Sequence, residues 1–120
     1  MKKRQTLRVK FFRTSGGNEP VLEWLKKLDA ADKKAIGTEI KTVELGWPIG
    51  MPVVRKIRKD LWEVRVTLHK RIARIIFTVS GSEMVLLHGF IKKQQALAKQ
   101  DIDLAEERLK ETLQVRPKRE

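Results

Sequence analysis

The chain has 120 residues, which suits one domain with a modest core and a single site. It carries 27 Lys and Arg against 15 Asp and Glu, and the formal charge of +12 predicts an anionic partner: nucleic acid, an acidic protein segment or an anionic membrane surface. The absence of cysteine excludes disulfides, thiolate metal sites and thiol nucleophiles, and it is typical of a cytoplasmic protein.

The N-terminal part predicts a strand followed by two helices. Leu7–Phe12 alternates as a strand does, and neither a signal-peptide run nor a stretch of 18 apolar residues occurs in the sequence. Asn18 and Asp29 are candidate N-caps of two helices, the second of which ends at Gly46. Apolar residues recur at helical spacing behind each cap: Val21, Leu25 and Leu28, then Ile36, Ile40 and Val43.

The central part predicts an antiparallel meander. Two prolines and a glycine in the segment Trp47–Pro52 are typical of an ordered loop. Alternating apolar runs then follow from residue 54 to residue 88. They are separated at Lys59–Asp60, His69–Lys70 and Ser80–Ser82, spacings that suit hairpins with two, two and three loop residues.

A closing helix completes the predicted fold. Behind its candidate cap, Asp101, apolar residues recur four apart: Ala105, Leu109 and Leu113. We therefore expect one α+β domain over residues 1–113, followed by a flexible basic tail at 114–120. In it, an antiparallel sheet of four to five strands packs against an N-terminal helical hairpin and a C-terminal helix.

The three loop lengths fix a strand register, and the register assigns residues to the two faces of the sheet. On one face, Arg65 is expected opposite Arg74, and Arg74 opposite His88. Lys56 is expected to face Glu63 on the same side. The other face collects an apolar layer for the helices to cover: Ile57, Trp62, Val64, Val66, Ala73, Ile75, Phe77, Val85 and Leu87.

The neighbouring Arg65 and Arg74 indicate an anion site. Like charges directly opposite each other on a sheet cost roughly 0.2 to 1 kcal/mol, and a bound anion reverses that cost. Two guanidinium groups can bracket one phosphate and stabilise charge that develops on it. In the alternative interpretation, Glu63 neutralises Arg65 and Arg74 is solvated.

RNA cleavage on such a face needs no cofactor, because the 2′-hydroxyl next to the scissile phosphate is the nucleophile. His88 is the candidate general acid or base, although a histidine at a strand end is often structural. Glu63 is a candidate base, or else a salt-bridge partner of a neighbouring cation. The candidate cations for the RNA backbone are Lys56, Arg58, Lys92 and Lys93, of which the last two are otherwise a solvated pair.

Three strings between residues 61 and 93, LWEVR, RIARIIF and VLLHGFIKK, resemble the RelE/ParE toxin superfamily, most closely its HigB-like, phage-derived branch. EWL at Glu23–Leu25 and the acidic closing helix fall in the same order as in that family. The resemblance implies a RelE-like fold and the toxin of a type II toxin–antitoxin system, which stops growth by cutting messenger RNA on the ribosome. It also implies an inhibiting antitoxin, of helix-turn-helix type, and no metal, cofactor or membrane partner.

The resemblance also assigns roles by position. Arg74 matches the strand arginine that relatives use at the scissile phosphate, and Arg65 matches a second cation on the neighbouring strand. Many relatives place a tyrosine near Lys92 and Lys93, but this chain contains none, which excludes a tyrosine acid. Glu63 stands where some ribosome-dependent relatives carry a lysine.

His88 is therefore the expected replacement for the missing acid or base. Two other functions stay open at this point. One is a ParE-like inhibitor that binds DNA gyrase, and the other is a catalytically silent module that binds RNA or protein.

Overall fold

The predicted α+β architecture is confirmed in a computed structural model, which describes residues 5–92 and 97–115. None of the helices in these two ranges is long and apolar enough to span a membrane. The last helix includes residues 114 and 115, the first two of the expected tail. The elements in chain order are β1 (Arg8–Phe11), α1 (Pro20–Lys26), α2 (Ala30–Gly46), β2 (Val54–Arg58), β3 (Leu61–Leu68), β4 (Arg71–Ser80), β5 (Glu83–Lys92) and α3 (Lys99–Val115).

The five strands form one mixed sheet in the order β1-β5-β4-β3-β2. Strands β2 to β5 are the predicted antiparallel meander, whereas β1 lies parallel to β5, with Arg8 beside Glu83. Strands β1 and β2 are therefore the two edges. Within residues 5–92 and 97–115, the cationic strand β2, with the sequence VRKIR, has no strand partner on its outer side.

Local sequence rules account for one helix start and miss two. The Asp29 carboxylate accepts the Asp32 backbone N–H at 2.9 Å, which confirms the predicted cap of α2, and α2 ends at Gly46 as expected. The prediction for Asn18 is wrong: Glu19 is the N-cap of α1, because Pro20 occupies the first turn with its φ already helical. The prediction for Asp101 is also wrong, since α3 begins at Lys99.

Each face of the sheet carries a cluster of buried apolar residues that packs against helices. Helices α1 and α2 cover the first face, here called the hairpin face. Helix α3 covers part of the second, here called the α3 face, through Ala105 and Leu109. The predicted single apolar layer is therefore wrong in part, because three of its members pack on the α3 side: Ile57, Val85 and Leu87.

A β-bulge between β2 and β3 moves part of the predicted site to the other face. The hairpin closes as predicted, with Arg58 opposite Leu61, but the register shifts before Lys56, which lies opposite Trp62. Arg55, not Lys56, is therefore opposite Glu63. Because successive side chains alternate between faces, one extra residue exchanges the faces of all the residues beyond it.

The β4–β5 pairing also differs from the prediction, by two residues. The turn contains only Gly81 and Ser82, with Gly81 at a φ of +62°, and a second shift follows between Ile76 and Phe77. Consequently His88 lies opposite Ile76, and Arg74 lies opposite another β5 residue, Phe90. Two shifts of one residue restore the original alternation, so His88 keeps its predicted face.

Candidate RNA-binding face

Two rows of side chains cross the α3 face side by side. The first row consists of Arg65, Arg74 and Phe90 on β3, β4 and β5, which confirms the predicted pairing of the two arginines. The second row consists of Glu63, Ile76 and His88. The two-residue turn at His69–Lys70 sets the arginine pairing, and Lys70 adopts the positive φ of 57° that such turns need.

Glu63 lies between two arginines in the interior. Arg74 Nη1 donates to Glu63 Oε2 at 2.6 Å, and Arg55 Nη2 lies 3.3 Å from Glu63 Oε1. The Arg74 side chain is 1% exposed and that of Glu63 is 0% exposed, whereas that of Arg55 is 42% exposed. Glu63 thus links one buried guanidinium to one at the surface.

The buried pair is only partly satisfied by hydrogen bonds. Within the described residues, Arg74 Nε and Nη2 and Glu63 Oε1 are buried and have no hydrogen-bond partner. Buried polar atoms without partners reduce the free energy of unfolding, so this arrangement is a weak device for stability. Its clearest effect is on position, because it holds the Arg74 guanidinium and the Glu63 carboxylate just beneath the α3 face.

The exposure of each arginine side chain determines whether it could contact an anion bound on this face. Arg74 is almost fully enclosed, so direct contact with a phosphate would require it to leave Glu63. Arg65 is half-buried in the same row, and Arg55, opposite Glu63 on the same face, reaches the surface. The surface cations of this cluster are therefore Arg55 and Arg65.

The remaining expected RNA-binding residues are dispersed. The bulge places Lys56 on the hairpin face, with Nζ 5.8 Å from the Trp62 ring centroid, so the expectation that it faces Glu63 is wrong.

Arg58 binds Glu106 of α3 and lies 3.9 Å from Asp103. A hydrogen bond from Lys99 lowers the pKa of the Asp103 carboxyl, and the charge of Arg58 adds to this effect.

Lys92 and Lys93 remain predictions. Lys92 closes β5 with its backbone opposite Ile72, and Lys93 lies outside the described residues.

His88 connects the sheet to α3. Its Nε2 lies 2.9 Å from Asp101 Oδ1, both side chains are largely buried, and the imidazole packs against the Phe90 ring at 5.0 Å between centroids. A carboxylate on one ring nitrogen fixes the orientation of the imidazole, as in catalytic pairs, but the same contact also anchors a helix. The geometry is compatible with both of the roles expected from the sequence.

A family model described as phage-derived protein Gp49-like (DUF891) matches residues 23–110, nearly three quarters of the chain. The chain belongs to this family. The Gp49-like family is a RelE-related toxin family of toxin–antitoxin systems, which makes an antitoxin the implied partner. No curated protein matches the chain significantly.

The Gp49-like match covers the whole cluster. It begins within α1 and ends in α3, so it includes Arg55, Glu63, Arg65, Arg74 and the His88–Asp101 pair. Strand β1 lies before the matched residues.

Two residues of the candidate site in this Gp49-like chain were not predicted from the sequence, Arg55 and Phe90. Arg55 is missed because the bulge that turns it toward Glu63 leaves no mark in the apolar alternation. Phe90 is missed because the β4–β5 register places it, and not His88, beside Arg74. The pattern RKIR at residues 55–58 does show several cations on one short strand, but it does not show which of them lie on the α3 face.

Proposed function

We propose that the chain is a HigB-like toxin that cleaves messenger RNA on the ribosome and so inhibits translation. The observation that supports this is the charge of the cluster on the α3 face. Arg55 and Arg65 place two guanidiniums at the surface of this face, next to the buried ion pair of Arg74 and Glu63. A phosphodiester placed across Arg55 and Arg65 would offer an anionic oxygen to each of these guanidiniums.

In the proposed reaction the 2′-hydroxyl of the RNA attacks the adjacent phosphate, and the 5′-oxygen of the next nucleotide leaves. Arg65 and Arg55 bind the phosphate oxygens and stabilise the charge that develops on them. Arg74 and Glu63 act as positioning residues, because one is enclosed and the other is held between two arginines.

Proton transfer is the second requirement of the proposed reaction. Because the chain has no tyrosine, we assign it to His88, which takes the proton from the 2′-hydroxyl and returns it to the leaving 5′-oxygen, and whose ring orientation is fixed by Asp101. Phe90 lies beside Arg74 and offers an aromatic surface on which a base next to the scissile phosphate can stack. Stacking on phenylalanine does not read the base sequence, so this contact would position RNA without specifying it.

Induced expression in bacteria tests the proposal. We expect growth arrest and transcripts with new ends inside coding sequence, formed only while the message is translated. Arg65→Ala should reduce cleavage by about 100-fold, the typical effect of removing one charge-stabilising group. Lys34→Ala, which removes an exposed cation from α2, is the matched control and should cleave like the wild type.

Two results would refute the proposal. One is a full arrest with intact transcripts, and the other is undiminished cleavage by Arg65→Ala. If purified protein instead inhibited gyrase supercoiling while transcripts stayed intact, the ParE-like alternative would replace it.

A further inference from the structure

The hairpin face carries a cavity that the proposed reaction does not use. Its volume is about 630 Å³, and it lies beside the edge strand β2. Among the described residues, five of those that line it are apolar and two bring an amide and an ammonium group: Trp47, Pro48, Ile49, Trp62, Val79, Gln5 and Lys56. Trp62 and Lys56 project from the side of the sheet opposite to Arg55 and Arg65.

The segment that forms one wall of the cavity is apolar and exposed well beyond it. Leu45 is 58% exposed at the end of α2, and Met51 is 68% exposed in the following loop. Between them lie Trp47 and Ile49, which line the cavity itself. Adjacent exposed apolar side chains are typical of a surface that binds another protein.

The aromatic contacts make a nucleobase a poor occupant. The Trp62 ring is stacked with Phe77 from β4, and Lys56 from β2 lies over the same ring. Since β3 lies between β2 and β4, these neighbours flank Trp62 on its two sides. A base could stack on Trp62 only by displacing one of them, whereas aliphatic side chains can enter between Trp47 and Val79 without doing so.

The positive charge around the cavity indicates an acidic protein partner. Lys56 is the cation of the cavity, Arg55 and Arg58 lie on the same edge strand, and the whole chain carries a net charge of +12. A partner segment with carboxylates next to its apolar side chains complements both features. A basic or neutral segment would leave Lys56 facing another cation or an apolar group.

We propose that this surface, the cavity together with Leu45 and Met51, is where the antitoxin docks, through an acidic amphipathic segment. The inference rests on the proposed toxin function, from which the partner follows. Apolar side chains of the antitoxin enter between Trp47 and Val79, and a carboxylate pairs with Lys56 in place of solvent. The α3 face, with Arg55 and Arg65, lies on the other side of the sheet.

The test uses the purified full chain and the purified protein encoded by the neighbouring gene, as the candidate antitoxin. Lys56→Glu reverses the charge at the cavity, and Met51→Glu places a charge on a side chain too exposed to disturb the core. We expect each to raise the Kd at least tenfold, and Met51→Glu to leave toxicity without antitoxin unchanged. Two matched controls, Lys34→Glu on α2 and Leu113→Glu on α3, should keep the wild-type Kd.

The outcomes separate this inference from the proposed function. If both cavity variants bind within threefold of wild type, or if Leu113→Glu loses affinity instead, the docking surface lies elsewhere. If the wild type cuts no message, the proposed function fails, but the measured Kd values still decide where the partner docks. Thermal unfolding of each variant identifies any that has lost its fold. If Lys56→Glu is misfolded, the Kd of Met51→Glu alone decides whether the antitoxin docks on this surface.

Discussion

Arg74 and Glu63 form an ion pair inside the sheet, with Nη1 and Oε2 2.6 Å apart and neither side chain reaching solvent. Removing water from two charges is costly, and their attraction repays the cost only when the remaining polar atoms also find partners. Within the described chain, Arg74 Nε and Nη2 find none. The pair is therefore a constraint on the fold, and any variant of Arg74 tests stability before it tests chemistry.

We expect Arg74→Ala to lower the free energy of unfolding by about 3–5 kcal/mol, because among the described residues it leaves the buried carboxylate with the partly exposed Arg55 as its remaining ion-pair partner. Urea denaturation followed by circular dichroism measures this loss. The double variant Glu63→Leu/Arg74→Met removes both charges and should recover most of it. A loss below about 1 kcal/mol for Arg74→Ala would show that the pair is solvated in solution.

Arg55 should matter for activity more than for stability. Its guanidinium lies at the surface beside Arg65, and its ion pair with Glu63 at 3.3 Å is only partly shielded from water. We expect Arg55→Ala to slow RNA cleavage at least tenfold and to cost about 1 kcal/mol of unfolding free energy. The control is Arg58→Ala, which removes a cation of the same strand that is bound to Glu106. If the two variants cleaved RNA at the same rate, Arg55 would have no specific role in the site.

Two features that depend on neighbouring residues were predicted correctly from the sequence, although the starts of α1 and α3 were not. The Asp29 cap depends on an N–H three residues later, and the pairing of Arg65 with Arg74 depends on a two-residue turn. Both were correct because a short segment determines each. The same locality explains why the strand and helix order was predicted with few errors.

Features set by packing could not be predicted. The bulge that brings Arg55 rather than Lys56 to Glu63 follows from how β2 fits the rest of the sheet, and alternation alone does not encode it. The burial of Arg74 depends on Glu63, eleven residues earlier, and on the cover that α3 gives to this face. A charged residue on a polar-looking face was therefore predicted to be solvated or ligand-bound, although it is enclosed.

The His88–Asp101 contact allows two roles that separate variants can distinguish. If His88 transfers a proton, His88→Gln should reduce cleavage at saturating RNA about 100-fold, because glutamine can hydrogen-bond to Asp101 but cannot act as an acid or base. If His88 only anchors α3, that variant should keep its cleavage rate. Asp101→Asn is the companion, and its pH–rate profile should shift only if Asp101 tunes a catalytic imidazole.

The contact between Gly89 and Trp24 determines how closely α1 approaches β5. A Cβ built on Gly89 would lie 2.5 Å from Trp24 Cζ3 and 2.7 Å from Cε3, closer than atoms can approach without a shift. We expect Gly89→Ala to cost about 1–3 kcal/mol, since the indole is packed against the core and must be displaced. Thermal and urea unfolding measure the loss.

A double-mutant cycle identifies the contact responsible. Trp24→Leu removes the ring atoms that the new methyl would meet, so Gly89→Ala should cost less in that background than in the wild type. Gly37→Ala is the matched control, because a Cβ on this exposed helical glycine has nothing within 4 Å, and it should be neutral or stabilising. Equal costs of Gly89→Ala in both backgrounds would mean that the methyl meets backbone and that α1 does not depend on the glycine.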